Sequence, residues 1–524
     1  MKTGTWLSWT SGLALALAAS GAAQAADCAG LKAKSSPTTE ITAATLHPGG
    51  AFAMPAGTPR SQTLPSFCRV QGVLRPTPDS QIAFEVWLPA QGWNGRFQGV
   101  GNGGFAGAVG YGDLASAVKA GYAAASTDTG HVGGGDAKWA KDHPEKLIDF
   151  GWRAVHLTAV TGKDLTQAFY GQAPRKAYFT SCSNGGRQAL MEAQRFPEDY
   201  DGIIAGAPAY NWTHLFTGFI WNARALALPG ARIPAAKAPA IEAAALKVCD
   251  AKDGAVDGLI SDPLNCHFDA KALKCAGAET DACLTEAQIA ALNAIRTGPR
   301  TSKGRVIYYG FPPGGENTAA WPLWIFGAGS GFSAQNMFGS NFAKYMVGAP
   351  ESWTPADFNF DNDLSPATYA ALDAVNADLS TFEARGGKLI LFHGWSDPAI
   401  PAQGTIAYRD QVAARMGAKR ADGFTRLFLA PGVGHCGGGA GPSDFDQNGV
   451  PSPGRDATNS LAAALETWVE QGRAPEQLIA LTPSTPAAPA GPSARTGLLC
   501  AYPKRAALTR GADPMRAQSY SCKS

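Results

Sequence analysis

One serine in this chain stands in a turn suited to nucleophilic chemistry. The run Tyr178-Phe179-Thr180-Ser181-Cys182-Ser183-Asn184-Gly185-Gly186 reads as a strand, a tight turn and the start of a helix, with Ser183 at the turn. Small residues are needed two places either side, because the flanking backbones pass closely; Ser181 and Gly185 meet that need, Ser181 where glycine is usual. Serine is a weak nucleophile unless a base takes its proton, and the base needs an acid to orient it. Residues 388–392 are an apolar run leading into His393-Gly394-Trp395-Ser396-Asp397, and residues 426–429 lead into Gly432-Val433-Gly434-His435. Ser183, Asp397 and His435 therefore fall on three strand ends in the order nucleophile, acid, base. His435 would take the Ser183 Oγ proton, while Asp397 would fix the imidazole tautomer. His131 and His393 are the rival bases; His393 is expected to bond its own loop and His131 to line the turn.

Two distant cysteines flank this set. Cys182 precedes Ser183 and Cys436 follows His435, so a bridge between them, with Cα atoms about 4.4–6.8 Å apart, would staple the nucleophile loop to the base loop. The oxyanion of an acyl transfer also needs preorganised N–H donors. Asn184, directly after the nucleophile, would supply one, and Gly103 or Gly104 in the Gly101-Asn102-Gly103-Gly104 loop another.

A different chemistry shows at Cys249-Asp250-Ala251-Lys252-Asp253-Gly254-Ala255-Val256-Asp257-Gly258-Leu259. Three carboxylates this close repel one another unless a cation neutralises them, and Ca²⁺ takes six to eight such oxygens. Asp250, Asp253 and Asp257 with the carbonyls of Ala255 and Leu259 are the expected ligands of a structural calcium. A second acidic loop, Asp444-Phe445-Asp446-Gln447-Asn448-Gly449, starts like an EF-hand but has Arg455 at the closing position. Neither is a zinc-type site.

These residues must be held by a large core. The chain has 524 residues, 45% of them apolar, with 24 Phe, 13 Trp and 13 Tyr, which excludes intrinsic disorder. Its 44 Lys and Arg against 42 Asp and Glu leave a net charge of +2, which argues against a nucleic-acid partner. Residues 1–25 read as a signal peptide, with Lys2, an apolar stretch and Ala23-Gln24-Ala25, and no later run is long enough to span a membrane. Cys28 follows Asp27 rather than a small residue, which argues against a lipoprotein. The expected protein is secreted or periplasmic, and the oligomeric state is left open. All ten cysteines follow the expected cleavage point, and an even count in an exported chain favours pairing.

Short apolar runs at 84–88, 96–100, 122–126, 177–180, 202–205, 388–392 and 426–429 alternate with helical stretches such as 152–169 and 186–195. That is the pattern of a mostly parallel α/β sheet with its chemistry at the carboxyl ends of the strands. From about 211 to 380 the alternation stops, and aromatics gather: Trp212, Phe216, Phe219, Trp221, Trp321, Trp324, Phe326, Phe332, Phe338, Phe342, Tyr345 and Trp353. The expected organisation is a core of residues 26–210 and 381–524 with residues 211–380 inserted as a lid. The Pro/Ala stretch 482–492 reads as an exposed loop.

At these residues the chain resembles the tannase/feruloyl esterase family. The resemblance rests on Cys182-Ser183, His435-Cys436, Asp397, the Gly101–Gly104 loop, Ser126-Thr127-Asp128-Thr129-Gly130-His131 and the acidic loop from Asp250, and it spans nearly the whole mature chain. It implies an α/β-hydrolase core with a large inserted lid domain, a structural Ca²⁺ in the lid, and hydrolysis of aromatic carboxylic esters of the feruloyl type, with gallate esters or terephthalate monoesters as alternatives. It also implies the pairs Cys28–Cys68, Cys182–Cys436, Cys249–Cys266, Cys275–Cys283 and Cys500–Cys522. In the terephthalate monoester hydrolases a lid arginine grips the substrate carboxylate. Residues 310–383 hold no arginine, so that activity would need another cation such as Lys344. A non-catalytic secreted binding protein of the same fold is the rival class.

Overall fold

Apolar runs that precede glycine-rich turns become the strands of one sheet in the computed structural model, which describes residues 1, 27–55, 61–327, 332–362, 364, 370–483 and 494–524. Apart from Met1, the expected leader lies outside the described residues, as does most of the Pro/Ala stretch. The described residues form a nine-stranded sheet of β1 (Thr39–His47), β2 (Phe67–Leu74), β3 (Ile82–Pro89), β4 (Arg96–Val100), β5 (Ala123–Thr127), β6 (Lys176–Cys182), β7 (Gly202–Gly206), β8 (Lys388–Gly394) and β9 (Thr425–Ala430). Their spatial order is β1-β2-β3-β5-β4-β6-β7-β8-β9. The first three pair antiparallel and β3 meets β5 antiparallel; from β5 through β9 every pairing is parallel.

Helices cover both faces, as a parallel sheet requires. The longer ones of the core are α1 (Tyr111–Lys119), α2 (Ala154–Tyr170) and α3 (Asn184–Arg195) before the insertion, and α8 (Ala402–Met416) and α9 (Leu461–Gln471) after it. The insertion between Gly206 and Lys388 carries α4 (Trp212–Ala227), α5 (Ala238–Cys249), α6 (Glu286–Thr297) and α7 (Ala334–Asn341). None of the nine strands comes from it. Its helices start where the sequence offers caps: Thr285 with Gln288 closes a reciprocal capping box on α6, and Ser333 caps α7.

Three local expectations shift. Strands β1 and β2 have no counterpart in the sequence reading; β1 has a mostly part-exposed burial pattern, so its apolar period is faint. The helix expected over 152–169 starts at Ala154 after a π-helical turn at Asp149–Arg153. The helix expected from 186 starts at Asn184, because the left-handed Ser183 (φ +67°) turns the chain from strand to helix within one residue. No helix of the described residues is long and apolar enough to cross a membrane. The ten cysteines form five disulfides in the family pairing, with Cα–Cα distances between 4.9 and 5.9 Å.

Candidate active site

The turn after β6 holds Ser183 in a backbone conformation that L-residues rarely adopt, and its surroundings leave no room for side chains. A Cβ on Gly185 would lie 1.9 Å from Ser181 Oγ, and one on Gly186 2.2 Å from the Gly206 carbonyl oxygen. Ser183 N donates to Gly206 O of the neighbouring strand at 2.9 Å, which fixes the turn against β7. From this turn the Ser183 hydroxyl meets His435 Nε2 at 2.9 Å, and His435 Nδ1 meets Asp397 Oδ2 at 2.8 Å. The three residues expected from strand ends are thus in one hydrogen-bonded line.

Asp397 is fully buried on its side chain. Its Oδ1 accepts from the backbone N–H of Ala399 and Ile400 at 2.8 and 2.9 Å. Burial works to raise its pKa, but the charges of His435 and His393 and their hydrogen bonds outweigh it and hold the carboxyl below the usual range. The acid therefore stays ionised beside His435, the state that fixes an imidazole tautomer and supports imidazolium. His393 also faces the acid, with Nε2 3.2 Å from Asp397 Oδ2, while its ring nitrogens meet Thr405 Oγ1 at 2.7 Å and Ile400 O at 2.9 Å. His131 lies 2.6 Å from Phe105 O through Nε2 and stacks on Trp139 at 3.8 Å. Burial lowers its pKa to about 4, so it braces the glycine loop as a neutral ring rather than lining the turn.

Cys182 and Cys436 are bonded with their Cα atoms 5.9 Å apart. The base loop has a second brace that sequence reasoning missed: Gln447 and Asn448 donate to the Cys436 carbonyl at 3.3 and 2.8 Å. These two come from the second acidic loop. There Arg455 pairs with Asp444 at 2.5 Å and faces Asp446 at 3.5 Å, so a guanidinium occupies the place a cation would take.

The residues expected to supply the oxyanion donors border one cavity. Gly103, Gly104 and Asn184 line the cavity beside Ser183, and among the described residues no hydrogen bond uses their backbone N–H groups. Asn102 anchors the glycine loop to α3: its N–H donates to Gln188 Oε1 at 2.9 Å, Gln188 donates back to Asn102 Oδ1 at 3.1 Å, and its amide also donates to Thr127 O at 2.7 Å. Neither Asn102 nor Gln188 stood out in the sequence, because their partners lie on other elements far away in the chain.

Above Ser183 is a cavity of about 310 Å³. Its wall includes Trp212, Leu215, Phe216 and Phe219 from α4, Trp324 and Phe338 from the later lid, and Ala399 and Ile400 after Asp397. Trp212 and Phe216 stack at 4.4 Å, and Trp324 sets its ring edge to face with His435 at 5.2 Å. No charged side chain lines the wall apart from the titratable His435, and Lys344 is not part of it. Five of the lid aromatics reach the cavity; others, such as Trp321 and Phe326, fill the lid's own core with Ile233 and Ile241.

The acidic loop has oxygen donors throughout. Asp250 accepts from Asp257 N and Gly258 N, and Asp253 from Ala255 N and Ser261 N, while Arg495 donates to the Asp257 carbonyl. Ala255 and Leu259 are buried, and among the described residues no hydrogen bond uses their carbonyl oxygens. Burial, with repulsion from neighbouring carboxylates, raises the pKa of Asp253 and Asp257. Two orphan carbonyls and mutually repelling carboxylates fit a hard cation. A tighter acid and histidine cluster, His156, Glu192 and Asp199, lies behind α3, where Lys163 pairs with Asp199 at 2.9 Å.

Residues 68–523 match the family described as "Tannase and feruloyl esterase". The chain is 43% identical to an uncharacterized esterase of Xanthomonas campestris pv. campestris over 96% of this chain and 92% of that one. It is 35% identical to a probable feruloyl esterase B-2 of Aspergillus flavus, covering 78% and 79% of the two chains. The crystal structure of feruloyl esterase B from Aspergillus oryzae superposes with a TM-score of 0.84 at 30% identity, over 95% of this chain and 99% of that one. With a serine, histidine and aspartate in hydrogen-bonded line on an α/β core under a lid, the chain belongs to the tannase and feruloyl esterase family of carboxylic ester hydrolases.

Proposed function

We propose that this protein is an exported serine esterase that hydrolyses esters of aromatic carboxylic acids, feruloyl and related hydroxycinnamoyl esters first among them. The observation that carries the reading is the apolar, ring-lined cavity of about 310 Å³ directly over a serine hydroxyl 2.9 Å from a histidine nitrogen. That volume is at the lower end of the roughly 300–1,000 Å³ usual for small-molecule sites, and the stacked rings suit a flat acyl group. Ser183 Oγ attacks the ester carbonyl as its proton passes to His435 Nε2, and Asp397 stabilises the imidazolium. The N–H groups of Asn184 and of Gly103 or Gly104 receive the oxyanion. His435 then protonates the leaving alcohol, and in the second half activates the water that frees the acid.

The wall also bears on the choice of acid. Apart from Ser183, His435 and Asn184, the only lining residues with a polar side-chain N–H are Trp212 and Trp324, and the Trp212 indole nitrogen is itself buried. Each hydroxyl of a galloyl ring buried without a partner would cost about 1–3 kcal/mol, and a terephthalate carboxylate would meet no cation. A methoxylated ring with one hydroxyl loses least. Initial rates on methyl ferulate, methyl gallate and mono(2-hydroxyethyl) terephthalate, with Ser183→Ala as the blank, test this. Methyl ferulate should be turned over fastest; a faster rate on gallate would overturn the assignment.

The acidic loop is read as a calcium site held by Asp250, Asp253, Asp257 and the carbonyls of Ala255 and Leu259. Bound calcium would neutralise the carboxylates and tie the loop together; no step of ester hydrolysis passes through it. A chelator should lower the melting temperature and added Ca²⁺ restore it, the ion adding about 2.7 kcal/mol of stability when it is a hundredfold above its dissociation constant. An unchanged melting temperature would reject the site. Export is supported by the leader-like residues 1–25 and by five disulfides, which persist in oxidising compartments.

A further inference from the structure

Arg187, one turn after Ser183 on α3, is wholly buried. Among the described residues its guanidinium has no ion pair and is held by carbonyls. Nε donates to Asn184 Oδ1 at 2.9 Å, Nη1 to Gly151 O at 2.7 Å and to Leu372 O at 3.3 Å, and Nη2 to Phe150 O at 3.1 Å. Its faces lie against the rings of Phe150 at 4.8 Å and Trp212 at 5.0 Å. These contacts belong to separate pieces of chain: the nucleophile helix, the π-helical turn before α2, the first residue of α4, and the segment by which the lid returns to the core.

The exit and the return of the lid run side by side at this point. Ala374 N donates to Tyr210 O at 2.7 Å, and the buried Asp373 accepts from Thr213 N at 2.9 Å and from Thr213 Oγ1 at 2.7 Å. Arg187 bonds the return through Leu372 and packs on the exit through Trp212, so one side chain registers both connections against the helix that begins at the nucleophile. Trp212 is also a wall of the cavity, stacked on Phe216. A planar fork carries five donors on three nitrogens and so reaches carbonyls that lie farther apart than the single nitrogen of an ammonium can serve.

We infer that Arg187 is a positioning residue for acyl selectivity: it locks the neck of the lid to the nucleophile helix and so places the aromatic wall over Ser183. The inference rests on the reading that the apolar cavity takes the acyl group. Asn184 presents its backbone N–H from the start of α3, so losing the Arg187 bond to its side chain leaves that donor in place. An acetyl group needs only Ser183, His435, Asp397 and the oxyanion donors, whereas an aromatic acyl group must also fit the wall.

The test compares kcat/KM of the full chain on p-nitrophenyl acetate and methyl ferulate for wild type, Arg187→Lys and Arg187→Met. Displacement of a positioning wall by about 1 Å costs on the order of 100-fold, so that loss is expected on ferulate for both variants, with less than about threefold on acetate. Equal losses on the two esters, or full rescue by lysine, would overturn the inference. Should the Arg187 variants fail to fold, Thr213→Val removes only the hydroxyl bond to Asp373 at the same neck. It should lower the ferulate-to-acetate ratio in the same direction, and an unchanged ratio would sink the proposal. If wild type turns over acetate but not ferulate, the aromatic reading fails by itself. The ratio is then measured on the bulkiest p-nitrophenyl acyl ester that wild type accepts.

Discussion

The turn around Ser183 and the cavity above it are neighbours built by different means. At the turn, backbone decides: Ser183 sits at φ +67°, and a methyl on Gly185 would land 1.9 Å from Ser181 Oγ. The cavity is decided by side chains gathered from residues as far apart as Trp212 and Ile400, mostly through packing of α4 and α7 against the core. The first arrangement admits almost no substitution. The second asks only for apolar bulk in about the right place. Chemistry and selectivity should therefore be separable, with changes at the turn costing turnover on every ester and changes in the lid wall costing only the aromatic ones.

The largest effect expected is from Asp397→Asn. The carboxylate is the one ionised partner of His435 Nδ1, and an amide there would stabilise the wrong tautomer. Loss of kcat by roughly 10⁴ is expected, as for comparable triads, and by the same factor on p-nitrophenyl acetate and methyl ferulate. A loss confined to ferulate would break the separation. The staple comes next. Cys182–Cys436 closes a span of 254 residues, and replacing both cysteines by alanine should remove about 2–5 kcal/mol of stability and lower kcat on both esters together. A double variant with wild-type melting temperature and rates would show that Gln447, Asn448 and the sheet hold the base loop without it.

The same division explains what the sequence made legible. Ser183, Asp397 and His435 each end an apolar run in a glycine-rich or polar turn, so local pattern and chain order were enough to find them. The cysteines beside two of them carried long-range information that single positions seldom hold. Asn102, Gln188 and Arg187 gave no such signal, since each acts by reaching a carbonyl or amide on another element. The cavity wall was only half visible. Aromatics marked the lid, yet nothing local separates Trp324, which faces His435, from Trp321 three residues earlier, which faces Ile241 and Phe311 in the lid core. Strand β1 was missed because an edge strand with one wet face carries a weak apolar period, and β2, inside the sheet between β1 and β3, because Arg69, Gln71 and Gly72 interrupt its apolar run.

The lid side of the comparison sharpens at Phe338. Its ring meets Phe105 at 5.0 Å and lies parallel to Trp324 at 6.1 Å, and it touches neither Ser183 nor Asp397 by hydrogen bond. Phe338→Ala should cost about 1.5–3 kcal/mol of aromatic transition-state binding, roughly ten- to a hundredfold in kcat/KM on methyl ferulate. Acetate hydrolysis should be unchanged. A parallel drop on acetate would mean that the wall also holds the chemistry in place, and the two regions would have to be treated as one.

The smallest effect lies behind the nucleophile helix, at Glu192. Both its carboxyl oxygens are buried without a hydrogen-bond partner, beside Asp199, His156 and Lys163. Burial, followed by the negative charge of Asp199, raises its pKa well above the usual range, Glu198 adding a little and Lys163 opposing. The folded protein therefore keeps this carboxyl protonated at pH values where the unfolded chain has already released the proton. Its contribution to stability is complete below the unfolded value near 4.5 and declines as pH rises toward the folded value, by about 1.4 kcal/mol for each pH unit in between. Glu192→Gln fixes the neutral form, so its melting temperature should gain on wild type between pH 5 and 7 and show no such trend below pH 4. A gap that does not vary with pH would mean that Glu192 is ionised in the fold. The ratio of ferulate to acetate turnover should stay at the wild-type value throughout, because the far side of α3 belongs to the frame of the turn and has no part in the wall.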